Sequence, residues 1–176
     1  MLHSTKIWEA ARATSAASSF FDSIEIGDEE FVDGATRTNN PINSIWTEAF
    51  DTWRDGDDWR LEENVKCLVS IGTGIPSLKP FGDDLVNIGK TLLAIATDTE
   101  ALAEDFQRHH TNLYKEHRYF RFNVLRGLEN IGLEEAAKKK EIRAATRDYI
   151  QTETVFNQLE ACALNLNERE CASLYA

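Results

Sequence analysis

One carboxylate in this chain has both the type and the setting for chemistry. In FVDGATRTNNP, Phe31 to Pro41, a short apolar run ends at Asp33, Gly34 follows at once, and a polar loop leads to Pro41. Asp-Gly taken alone is a common turn dipeptide. Its position says more, because catalytic and ligand groups of α/β proteins gather just beyond the carboxyl ends of strands. A carboxylate held there by the amides of a tight turn can serve as a general base.

The other candidates are weaker. Ile71-Gly72-Thr73-Gly74 suggests a phosphate cradle, but Ser77 stands where G-x-G-x-x-G needs its third glycine, and no G-K-[ST] follows. His109 and His110 are adjacent and point apart on a helix, while His110 and His117 share a face only if one helix runs through both. No metal site and no cofactor is expected from that spacing. Serines are plentiful, yet no G-x-S-x-G exposes one as a nucleophile. Cys67, Cys162 and Cys171 form no C-x-x-C, and Cys67 in VKCLVSI reads as a small core residue. An odd cysteine count without a framework favours a reduced compartment over secretion.

Elements must position these residues, and the patterns predict several. Residues 5–17 read as a helix with a stripe of Ile7, Ala10 and Ala11. SIEIGDEEFVDG reads as two extended runs about a Gly27-Asp28 turn. Asn40 suits a cap and Pro41 a first helical position. The helix that follows places Ile42, Ile45, Trp46, Ala49, Phe50 and Trp53 on one continuous apolar face. RDGDDWRLEEN reads as a surface loop, and VKCLVSIG as a strand buried on both faces of a parallel sheet, with Gly72 and Gly74 free to take unusual backbone angles. Helical pattern runs over 84–109 with a break near Thr97-Asp98-Thr99. RYFRFNV alternates as a half-buried strand, and helices close the chain over 133–150 and 152–164. In KKKEIRAATR, the pairs Glu134 to Lys138 and Glu135 to Lys139 indicate a solvated helix face. Alternation of strand and helix is the order of a layered α/β domain.

The totals bound the function. A chain of 176 residues with 42% hydrophobic residues can form one domain with a core. A formal net charge of -11 argues against a nucleic-acid footprint and against simple adsorption to anionic lipid, though not against a lipid reached through a cleft. No apolar run is long enough to span a bilayer. The N-terminus, MLHSTKIWEAARATSAASSFF, has the Ser/Ala-rich, acid-poor composition of a transit peptide. An ordinary helix leading into close-packing small residues is the favoured alternative.

Four stretches in order, AARATSAASSFF, FVDGATRTNNP, WTEA and LVSIGTG, resemble the patatin-like phospholipase family. The likeness covers most of residues 7–74 and, more loosely, RYFRFNV and the helix beyond. It implies a partial three-layer α/β/α fold with a mainly parallel central sheet. Residues 1–150 would be the C-terminal portion of that domain and 151–176 a helical tail. It also implies a Ser-Asp dyad hydrolase of fatty-acyl esters that uses neither histidine nor metal. Asp33 matches the family's proton acceptor, Gly34 its close turn, and Asn39, Asn40 and Pro41 its N-N-P. Ser18 stands where many members have proline.

The family's nucleophile lies in a G-x-S-x-G upstream of these motifs, with a glycine-rich oxyanion loop further upstream. Both are expected to lie outside these 176 residues, so the chain alone is expected to be inert and to expose the edge of VKCLVSI for pairing. The implied partners are a lipid or acyl-ester substrate, once the upstream half completes the site, and covalently linked domains. The implied place is the cytoplasm or the membrane periphery. A non-catalytic patatin-like binding or scaffolding module is the alternative.

Overall fold

The computed structural model of the chain describes residues 5–17, 21–34, 38–75, 86–129, 131 and 135–167, the side chains of 86–97 and 136 excepted. It divides into two compact units, Met1–Pro41 and Ile42–Ala176.

In the first unit, helix α1 spans Ile7–Ala13, shorter than the helical composition of 5–17 suggests. Glu9 accepts the Lys6 backbone N–H at 2.7 Å, which satisfies one of the donors a helix start leaves open. The anticipated stripe does not turn inward: Ile7 is 91% exposed, and Ala10 and Ala11 are exposed too. The buried alanine is Ala16, three residues beyond the helix. Strands β1 (Ile24–Ile26) and β2 (Glu29–Phe31) form the expected antiparallel hairpin, Ile24 opposite Phe31. Gly27 takes φ 64° at its turn, a left-handed conformation that glycine adopts without Cβ strain.

The second unit carries the α/β organisation. Its helices are α2 (Ile42–Trp53), α3 (Leu61–Asn64), α4 (Val86–His109), α5 (Thr111–Lys115), α6 (Lys139–Ile150) and α7 (Glu153–Asn167). Strands β3 (Leu68–Ile71) and β4 (Tyr119–Phe122) pair in parallel, Leu68 opposite Tyr119 and Ile71 opposite Phe122. A parallel pair needs a long crossover, and α4 with α5 supplies it. Alternation puts Leu68, Ser70, Tyr119 and Arg121 on one face. There Tyr119 joins Ile42, Phe106 and Leu113 in the core, with Trp46, Val65 and Leu68 against it. The Phe106 ring lies 5.6 Å from Trp46 and 5.2 Å from Tyr119, edge-on or tilted as aromatic quadrupoles prefer.

Several expectations need correction. The apolar face of α2 is only partly covered among the described residues: Ile42 is buried, but Ile45 is 51% and Trp53 66% exposed. The last four residues of RDGDDWRLEEN are not loop, because Leu61, buried at 5%, anchors the short helix α3. β3 is not buried on both faces, since Val69 and Ile71 on its second face are exposed. α4 runs through Thr97-Asp98-Thr99 unbroken. Helix α6 begins at Lys139, after a 3-10 turn over Ala136–Lys138, and Glu135 meets Lys138 at 2.7 Å. Leu133 and Glu134 lie outside the described residues.

Candidate functional site

Asp33 follows β2 by two residues, at the seam where the hairpin gives way to the loop. Its backbone N–H donates to Ala16 O at 3.0 Å, tying the seam to the segment after α1. The residue is half-buried. Gly34 does not use the conformational freedom of glycine: its φ is not left-handed, and a Cβ there would make an ordinary 3.5 Å contact with Thr38 Cβ. The Gly34 carbonyl instead accepts the Thr38 N–H at 2.6 Å, drawing the loop back on itself. Asn40 is buried at 6%, and the chain passes through Pro41 into α2, whose first helical residue is Ile42. Pro41 therefore sits at the helix start, one place ahead of the expected position.

A second constellation lies in the second unit, at the carboxyl ends of the parallel strands β3 and β4. Glu100 on α4 accepts from Arg121 Nη2 and, at 2.9 Å, from Asn123 Nδ2. Arg121 Nη1 donates to Ser70 Oγ at 3.0 Å. Asn123 Oδ1 accepts the Gly74 N–H at 2.7 Å, and the Asn123 N–H donates to the Tyr149 hydroxyl at 3.1 Å. Gly72 N–H to Phe122 O and Ile75 N–H to Val124 O continue the ladder past the strand ends.

This packing is why the loop carries two glycines. A Cβ at Gly72 would collide with Asn123 Oδ1 and lie 2.8 Å from Arg121 Nη2. Gly74 has φ 101°, and a Cβ there would lie 2.6 Å from Leu128 Cδ1. Gly72 is thus required for close approach and Gly74 for both reasons. With Arg121 and Glu100 side chains only 14% and 28% exposed, the charges are compensated by each other and by neutral dipoles. The arrangement clamps the loop after β3.

Near this clamp, burial pushes the Tyr119 phenol above its ordinary pKa, while Arg121 and the nearby Ser70 hydroxyl pull it back. The Tyr119 oxygen is buried without a hydrogen bond of good geometry. His110 occupies the N-cap position of α5 without a side-chain capping bond, its ring 4.3 Å from both Trp46 and Phe106. Burial lowers its pKa, with Glu62 opposing and His109 adding to the shift. His110 lies beyond the end of α4 and His117 beyond the end of α5, so no single helix runs through both.

Of the residues singled out from sequence, Asp33 and the N-N-P loop fall in the first unit, while Gly72 and Gly74 fall in the second. Glu100, Arg121 and Asn123 were not singled out. The strand RYFRFNV held two of them, but alternation alone does not say which polar residue turns inward at its end.

Residues 2–46 match the family model for patatin-like phospholipase, a span that contains Asp33. Over 151 residues, 84% of the chain, the sequence is 30% identical to phospholipase A I of Arabidopsis thaliana. Over 135 residues, 77% of the chain, it is 30% identical to the calcium-independent phospholipase A2-gamma of rabbit and of human. The chain spans 11% of the plant relative's length and 16% of the animal relatives'. No solved structure matches it significantly. These matches bear out the resemblance read from the motifs: this chain carries patatin-like phospholipase sequence, and the described residues carry the mixed helix and strand, with a parallel pair, of an α/β fold.

Proposed function

We propose that this chain supplies the acid half of a Ser-Asp dyad lipid acyl hydrolase, with Asp33 as the general base. Within this reading, residues 1–150 belong to the patatin-like domain and 151–176 form its tail. The serine, carried by a G-x-S-x-G outside these 176 residues, attacks the carbonyl carbon of a phospholipid or acylglycerol ester and passes its proton to the Asp33 carboxylate. Collapse of the tetrahedral adduct breaks the ester bond, and Asp33 returns that proton to the departing alcohol. Water then attacks the acyl-serine with Asp33 again accepting a proton, and the fatty acid leaves as serine regains its hydrogen.

The observation that carries this reading is the place of Asp33. It lies inside the residues matched to the family, two residues beyond a strand, with its backbone bonded to Ala16 O. The names of the relatives support the substrate class, and those called calcium-independent accord with a carboxylate base needing no metal.

The test is hydrolysis of a short-chain p-nitrophenyl ester. The 176-residue chain alone should give no turnover above buffer. Joined in cis to an upstream segment containing G-x-S-x-G, it should turn over, and Asp33→Asn should then lower the rate by about a hundred- to ten-thousand-fold. An unchanged rate in Asp33→Asn would remove Asp33 from the mechanism.

A non-catalytic binding or scaffolding module is the second reading. The self-contained aromatic core of the second unit favours it, since that core needs no residue of a catalytic site to close. Fully soluble, cooperative folding of the chain together with inactivity of the joined form would select it.

A further inference from the structure

Cys67 immediately precedes β3, and Cys162 lies in the third turn of α7. They stand 95 residues apart in the chain, yet their Sγ atoms are 3.9 Å from each other. Both are free thiols. The contact is pinned by its surroundings. One turn beyond Cys162, Asn165 Nδ2 donates to His117 O at 2.6 Å and reaches Lys66 O at 3.5 Å, so the same face of α7 is fastened beside Cys67. Val155 and Cys162, seven residues apart on that helix, are its buried positions.

We propose that Cys67 and Cys162 form a reversible redox staple, closing to a disulfide under a small-molecule disulfide and locking α7 onto the entry of β3. A disulfide needs the sulfurs at about 2.05 Å, so closure requires a movement of about 2 Å shared between two side chains. The chemistry is two thiol exchanges. The Cys67 thiolate, the more accessible of the two, attacks oxidised glutathione, forms a mixed disulfide and releases one glutathione thiolate. The Cys162 thiolate then attacks the Cys67 sulfur, the protein disulfide forms, and the second glutathione thiolate leaves. The protein loses two protons and two electrons, and the oxidant becomes two glutathiones.

The same setting makes the staple selective. Burial, and then the neighbouring Cys162, push the Cys67 thiol up to about 11, so thiolate is scarce at neutral pH. Closure is therefore slow at neutral pH and accelerates with rising pH. Once closed, the bond encircles β3, the glycine loop after it, α4, α5, β4 and α6. In the reduced chain the Asn165 side chain fastens α7 there.

The experiment treats the full chain with oxidised glutathione, then reads intact mass, free thiols, peptide linkage and melting temperature. The expected product is lighter by two hydrogens, keeps one thiol of three, joins the peptides of Cys67 and Cys162, and melts roughly 5–10 °C higher. Dithiothreitol should reverse every change. Cys171→Ser should behave as wild type, and Cys67→Ser and Cys162→Ser should each abolish the shift. A glutathione adduct that persists on Cys67 without closure would overturn the proposal, as would linkage through Cys171. Because the wild-type chain is compared with itself in two redox states, a poorly folding serine variant would not rescue a failed result.

Discussion

The two units of this chain are built on opposite terms. The first, Met1–Pro41, holds Asp33 and nearly all of the family match, yet α1 buries no residue and the hairpin side chains are exposed or half-buried. The second, Ile42–Ala176, has a closed aromatic core and a compensated polar clamp at its strand ends. The span matched to the family model therefore lies mostly in the first unit, whereas the motifs WTEA and LVSIGTG lie in the second. Among the described residues, the second unit holds most of the buried apolar surface.

That contrast can be broken most forcefully at Phe106, which is 1% exposed among Trp46, His110 and Tyr119. Phe106→Ala should cost about 3–5 kcal/mol in urea unfolding, by lost burial and by the cavity left behind. A loss below about 1 kcal/mol would mean that the aromatic cluster is not the core of its unit.

His110 sharpens the comparison through pH. Its folded-state pKa is lowered, chiefly by burial, so the folded chain favours the neutral ring more than the unfolded chain does. Its contribution is full above about pH 6.5 and is lost as pH falls through the lower folded value. Chemical-denaturation midpoints should drop across that window, and His110→Gln should flatten the slope there. The same midpoint slope in wild type and variant would show that His110 does not set it.

The smallest effect belongs to the first unit. Ile7 is 91% exposed, so Ile7→Ser should change stability by less than about 0.5 kcal/mol. A cost above about 2 kcal/mol would mean that α1 is covered by something outside its own unit, and the contrast would have to be withdrawn.

Much of the fold was legible because its signals are local. The Gly27-Asp28 hairpin, the helix starting after Asn40-Pro41, and the strands within VKCLVSI and RYFRFNV follow from turn chemistry, capping and alternation. Errors arose where a pattern was asked to report burial. Ile45 and Trp53 fit the apolar stripe of α2 as well as Ile42 does, but spacing alone cannot say whether a neighbour covers them. The weak-looking Thr97-Asp98-Thr99 lies inside a continuous helix, because propensity is a weak prior and three poorer helix formers cost too little to break a long helix.

The sequence by itself determined where the glycines cluster and which family the motifs resemble, since both are written in order and spacing along the chain. Tertiary structure alone decided that Glu100, Arg121 and Asn123 clamp the loop after β3, and that Cys67 meets Cys162. Those partners are separated by 21 to 95 residues and meet only once a parallel pair and its helices have formed. Side-chain distance across such separations depends on the crossover, which no local periodicity encodes.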